Sequence, residues 1–494
     1  MLTVLLRFLI PSVAVALVAW RVRNLFLVVC AVPLVLSMGE GIFIRTWGAT
    51  YSIPFFPILF NWRDLILGIV LLVWVYAVQK RSSSHHYPLT LEITFLIIFI
   101  ILVGIQVPLS WAKDNSIKLG VVFAIRQYAY LPLSAIIWID IFRRLTRAEA
   151  WQLLDALALV TIPFAMLYAL SSVGVPIFPD LGWDPITFGS AIIARDFLTF
   201  PVWSKLALAY FLTRPRQTMV SLVAIGVLSV SILLSYTRSW VMPAGVMVLI
   251  SGLYYLIVKR QFLTALTRGI IIISVIAISS LILNVYVPDN LLFVVERLRE
   301  AQEEGINTGN LLSRAETWTE IVAYVERVNP VFGAGFSVDT GDEVAAINNA
   351  RIVGDSLWTL VMLPLGWSGI VAMVGYFGIF TILSAKGIFH PDINRSRLAL
   401  VMFLVMLWDI FRSPVSSDQM YVYPVGFAAI AALIVVEFRN LWVERIVEHA
   451  RLRLLAGVSL NWFARDDQYW LIRRVALALV VGLLVIQAVR MIVR

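Results

Sequence analysis

The chain has 494 residues, of which 61% are hydrophobic and 14% charged, against roughly a quarter charged in soluble domains. With a mean hydropathy of +0.89, this excludes a soluble globule. The net charge of +9 does not point to nucleic acid, because the basic residues fall in short clusters between apolar runs rather than in a stripe with interleaved aromatics. The apolar runs predict membrane segments at 4–20, 24–38, 64–79, 89–111, 119–141, 153–172, 197–213, 219–236, 241–258, 269–287, 356–385, 398–412, 422–437 and 475–489. The fold expected is an all-α polytopic membrane protein of about 12–14 transmembrane helices with one large periplasmic loop that itself contains helices.

The N-terminal run 1–20 resembles a signal sequence but has no small-x-small cleavage site before Arg21, so a retained helix is expected. Alternate connections carry Arg21/Arg23, Lys80/Arg81, Arg143/Arg144/Arg147, Arg214/Arg216, Lys259/Arg260/Arg268, Lys386/Arg395/Arg397 and the Arg-rich stretch 438–474. The positive-inside rule makes that face cytoplasmic and turns both termini outward. The chain then divides into membrane helices with short loops (1–287), a periplasmic loop (288–354), further membrane helices (355–437), an amphipathic cytoplasmic segment (438–474) and a terminal membrane helix (475–494).

Metal and nucleotide chemistry find little support. The four histidines, His85, His86, His390 and His449, all fall on the cytoplasmic side, and HExxH, EF-hand and phosphate-loop motifs are absent. The single cysteine, Cys30, lies within an apolar segment, which leaves no intrachain disulfide and no cysteine metal site. No metal or cofactor is expected.

Chemistry is therefore sought at the outer end. In Leu312-Ser313-Arg314-Ala315-Glu316-Thr317-Trp318, Ser and Glu have capping-box spacing, which predicts a helix from Ser313 to about Arg327 with Ala315, Trp318, Ile321, Val322 and Val325 as its apolar face. Arg314 would then sit in the first turn, where exposed N–H groups favour an anion. A surface arginine paired with a nearby glutamate explains it equally well. Asn329-Pro330-Val331-Phe332-Gly333-Ala334-Gly335-Phe336 predicts a compact turn after that helix.

Arg238 lies in a connection so short that it must sit at the outer interface, either snorkelling beside Tyr236 and Trp240 or offering a fork to phosphate. Arg126 lies about two turns into its segment, where charge is costly. Arg195 has Asp196 as a ready structural partner, and Lys205 sits mid-segment with no partner that sequence can name. Asp355 precedes Ser356-Leu357-Trp358 at the start of a membrane helix. It reads either as a helix cap or as a carboxylate whose apolar setting raises its pKa and fits it to accept a proton.

The stretch 313–336, with Arg314, Trp318 and Asn329-Pro330…Gly333-x-Gly335, is followed by Asp355-Ser356 and Leu365-Gly366-x-x-Gly369 and preceded by Thr237-Arg238-Ser239. In order, spacing and sidedness it resembles the O-antigen ligase and polysaccharide polymerase superfamily of the bacterial inner membrane. The resemblance covers about 220–385 by motif and the rest by hydropathy alone. It implies a metal-independent, inverting glycosyltransferase that takes glycan from undecaprenyl diphosphate at the periplasmic face. Its diphosphate-binding arginines would map onto Arg238 and Arg314, with Arg195 and Arg126 as positional candidates. Where the family carries His-Asn, this chain has Asp355-Ser356, so Asp355 would be the catalytic base.

The partners implied are the lipid-diphosphate-linked glycan, a saccharide acceptor, membrane lipids and other polysaccharide-assembly proteins, with no nucleic acid. The reading preferred is a polymerase of O-antigen or exopolysaccharide repeat units. The alternatives are a ligase that transfers glycan to lipid A core and, from another class, a polysaccharide or lipid transporter or flippase built on broken helices. Pro132, Pro163, Pro201, Pro243 and Pro364 keep the last reading open.

Overall fold

Hydrocarbon offers no hydrogen bonds to a backbone, so long apolar runs must form helices. The computed structural model bears this out for the residues it describes, 2–22, 24–38, 50–52, 59–81, 91–114, 119–173, 186–188, 191–193, 201–214, 217–235, 238–304, 309–335 and 356–412. The first half contains α1 (Leu2–Val22), α2 (Leu25–Met38), α3 (Trp62–Lys80), α4 (Leu91–Asp114), α5 (Leu119–Phe142), α6 (Arg147–Ser172) and α7 (Pro201–Leu212). There follow α8 (Met219–Leu233), α9 (Arg238–Leu253) continued by a π turn (Tyr254–Val258), α10 (Phe262–Tyr286), α11 (Pro288–Glu304), α12 (Gly309–Val328), α13 (Leu357–Ile388) and α14 (Ile393–Arg412).

Two hairpins of three-residue strands add what periodicity did not anticipate. β1 (Thr50–Ser52) pairs antiparallel with β2 (Leu59–Asn61), and β3 (Ile186–Phe188) with β4 (Ala191–Ile193). The expected segments 422–437 and 475–489 and the amphipathic stretch 438–474 lie outside the described residues.

Among the described residues, Ala148–Ser172, Trp240–Val258, Ala265–Tyr286 and Leu357–Ile388 are each long and apolar enough to cross a membrane. The architecture is that of a predominantly α-helical membrane protein. Its centre is formed by α13, packed on α14 and α4, and by α6, packed on α1, α7 and α8. Trp138, Trp240, Trp408, Tyr130 and Tyr376 fill the interior. By contrast α10 turns Leu263, Ile270, Ile273, Leu281 and Val285 outward, more than half exposed, as hydrocarbon allows and water would not.

The sequence also fixes several helix ends. Thr146 caps α6 in a capping box: its hydroxyl accepts from Glu149 N, and the Glu149 carboxylate accepts from Thr146 N. Thr218 caps α8 through Ser221 N. Of the five prolines noted, Pro201 is the first residue of α7, where a missing N–H costs nothing. Pro132, Pro163 and Pro243 lie inside helices. Close to Pro364 the backbone itself leaves the helix, at Gly366 (φ 60°, ψ −158°).

Candidate functional site

The break in α13 is filled by the turn that follows α12. Asn329 folds that turn, its side-chain oxygen accepting from Val331 N and Phe332 N, while Gly333 N donates to the Asn329 carbonyl. The broken helix then trades hydrogen bonds with it. Ala334 N donates to Leu363 O at 2.8 Å, Trp367 N to Pro330 O at 3.0 Å and Ser368 N to Val331 O at 3.1 Å. The Ser368 hydroxyl adds a second bond to Val331 O, and Gln106 of α4 donates to Phe332 O.

Gly333 and Gly366 touch back to back. A Cβ on Gly333 would lie 2.6 Å from Gly366 N, and one on Gly366 2.5 Å from Gly333 N, so neither position can carry a side chain. Gly366 stands nine residues into α13, about 14 Å at 1.5 Å per residue. The turn therefore re-enters the bundle to a depth comparable with half of a roughly 30 Å hydrocarbon core. Non-helical backbone survives at that depth because protein donors and acceptors meet it.

The helix carrying Arg314 begins at Gly309, not at Ser313. Ser313 is thus inside the helix rather than its cap, and Arg314 lies in the second turn, beyond the anion-favouring first one. The expected apolar face holds in substance: Ile321 and Val325 are fully buried, Thr317 joins them, and Trp318 and Val322 are half-buried. Position 314 falls seven and eleven residues before Ile321 and Val325, on the same helical stripe.

The backbone also places Arg126. Two residues further along α5, the Tyr128 hydroxyl donates to Leu360 O in the first turn of α13 at 2.6 Å. That bond ties α5 to the start of α13, whose N-cap is Ser356, the residue after Asp355. Arg238 opens α9 two residues before Trp240, which is buried and stacked on Tyr168 of α6. Asp355 and Arg195 lie outside the described residues, and the structure describes only the backbone at Arg126, Arg238 and Arg314.

Deep inside the bundle, Lys205 of α7 pairs with Asp409 of α14, both 2% exposed. This partner stands 204 residues away, and no local pattern announces it.

At the opposite end Arg21, Arg81, Arg144, Arg214 and Arg397, from five of the basic clusters, come together. Arg81 forks onto Glu149, which also accepts from Asn24, and Arg81 and Arg144 each donate to the other's carbonyl. Asp155 gathers three groups: Arg21 through Nε (3.0 Å) and Nη2 (2.8 Å), the Tyr210 hydroxyl (2.6 Å) and Arg214. Burial opposes the charge on Arg214, but Tyr210 and Asp155 beside it outweigh that and hold its pKa above the ordinary arginine value. Arg397 lies over the rings of Tyr210 and Trp151, at 4.7 and 5.0 Å from their centres. This cluster borders a cavity of about 380 Å³.

Sequence reasoning had spent these arginines on topology alone. The signal it passed over was Asp155, an acid two residues into the apolar segment 153–172 and on the same helical face as Trp151. Among the described residues no group of three or more His, Cys, Asp or Glu side chains could hold a metal. No family model matches the chain, and no curated protein matches it.

Proposed function

We propose that the protein is a membrane glycosyltransferase that polymerises cell-surface polysaccharide repeat units from an undecaprenyl-diphosphate-linked donor at the outer end of the bundle. In this reading the Asp355 carboxylate takes the proton of the acceptor hydroxyl as its oxygen attacks the anomeric carbon. The bond from that carbon to the diphosphate oxygen breaks, and the lipid diphosphate leaves against Arg238 and Arg314, with Arg126 and Arg195 nearby. Inversion at carbon follows from the single displacement, with no covalent enzyme intermediate.

The observation that carries the reading is the re-entrant turn seated in α13. It ties α12, the helix of Arg314, to the helix whose cap follows Asp355, while Tyr128 ties the helix of Arg126 to the same first turn. A transporter would need the polar groups freed by a broken helix for its substrate. Here Leu363 O, Trp367 N and Ser368 N are already engaged by the turn, which favours the enzyme.

Reconstituted protein supplied with lipid-linked oligosaccharide should lengthen chains on the carrier. Asp355→Asn should lower that rate about 10²–10⁴-fold, the contribution of a general base, because it removes the carboxylate and leaves Ser356, the N-cap of α13, in place. Arg238→Lys should also fail if a fork on phosphate is needed. Near-normal activity of Asp355→Asn would remove the base from the proposal. Consumption of a core-lipid acceptor in place of chain growth would assign a ligase, and movement of lipid-linked sugar without a new glycosidic bond would assign a transporter.

A further inference from the structure

The cavity at the basic end has the chemistry of a phosphate site opening onto lipid. It is lined by Arg21, Trp151, Gln152, Asp155, Tyr210 and Arg214, with Arg397 behind the two rings. Arg21 and Arg214 share one carboxylate with the Tyr210 hydroxyl, and a third guanidinium, Arg397, lies over the Tyr210 and Trp151 rings. One acid cannot neutralise three cations, so this end keeps a surplus of positive charge, screened by water at Arg21 but poorly at the buried Arg397.

The geometry of the donors agrees. Arg21 turns Nε and Nη2 to Asp155 while its side chain stays 53% exposed at the mouth, and Arg214 reaches Ser221 at 3.1 Å with the remaining arm of its fork. Arg397, 8% exposed, spends Nη2 on Tyr210 O, and its buried Nε has no hydrogen-bond partner. A lone buried donor of this kind costs free energy unless an acceptor or water reaches it.

The surroundings select the kind of phosphate. Trp20, beside Arg21, is 73% exposed and Leu25 72%; Met219 and Val220, next to the Ser221 that Arg214 reaches, are 76% and 53% exposed. A charged cleft with apolar side chains turned outward on both flanks suits an amphiphile, with phosphate in the cleft and acyl chains along the helices. We propose that the cavity between α1, α6 and α7 binds the phosphate of an anionic phospholipid headgroup.

The test uses the full-length protein, delipidated in neutral detergent, with its thermal unfolding midpoint followed during titration. Phosphatidylglycerol should raise the midpoint, whereas phosphatidylcholine and inorganic phosphate should not. Arg21→Gln should weaken the apparent phosphatidylglycerol affinity about tenfold, the worth of one charge-assisted contact. Arg21→Lys, which keeps the charge, should retain more of the response. Lys386→Gln removes an exposed cation from the last turn of α13 at the same end and should leave the titration unchanged, which separates a site from diffuse attraction. The proposal is overturned if phosphatidylcholine acts as strongly, if Arg21→Gln titrates like the wild type, or if Lys386→Gln loses as much as Arg21→Gln. A full response to inorganic phosphate would assign the cavity to a soluble phosphate and overturn the lipid.

Discussion

Two glycines decide whether the turn after α12 can seat in the break of α13. Gly333 and Gly366 both have positive φ, and each would drive a Cβ into the other's backbone, where no side-chain rotation gives relief. Gly333→Ala and Gly366→Ala should each destabilise by more than about 1–3 kcal/mol, the usual cost of one strained residue, because steric overlap adds to the φ penalty. Thermal unfolding in detergent checks this, with Gly245→Ala, where a Cβ meets nothing within 4 Å, as the tolerant comparison. Lys205 and Asp409 make the second residue-scale case. Lys205→Met alone should cost about 3–5 kcal/mol by leaving a buried carboxylate without its cation, while Lys205→Met with Asp409→Leu should recover most of the loss. An additive double-mutant result in unfolding measurements would refute the coupling.

For whole elements, legibility in the sequence followed the range of the interaction. Among the described residues the apolar runs marked the membrane helices, because each run specifies its own hydrogen bonds, but α6, α10 and α14 begin five to seven residues before their runs. The cap of Thr146 and Glu149 is equally local, yet the apolar run at 153–172 did not reach back to the start of α6 that it sets. The same pattern misled at Ser313 and Glu316, where α12 extends back to Gly309. Helix termini depend on what precedes them as well as on the cap. The fit of Gly333 to Gly366 and of Gln106 to Phe332 joins residues 33 and 226 positions apart, and periodicity carries no such information. The outer arginines were legible as candidates by sidedness and motif order, although motif order could not fix their mutual arrangement. The docking of α12 has a consequence of its own. Ile321 and Val325 are its fully buried anchors, so Ile321→Ala should cost about 2–5 kcal/mol and expose the segment to proteolysis before the rest of the bundle unfolds. Limited proteolysis that begins elsewhere would count against α12 as an independently opening unit.

The molecule as a whole is polarised, with basic side chains knitted together at one end and the re-entrant turn entering from the other. That polarity can be read directly, because Cys30 is the chain's single cysteine and is fully buried, which leaves a silent background for labelling. Cysteine placed at exposed Glu316 should react with an impermeant maleimide added outside intact cells, whereas cysteine at Lys386 should react only after permeabilisation. The opposite pattern would invert the topology and move the proposed chemistry to the other face.

Because the turn and the severed helix satisfy one another, neither can let go alone. Deuterium should enter the amides of Ala334, Trp367 and Ser368 in a single correlated event, at one rate for all three, so that a breach anywhere along this seam registers along its entire length.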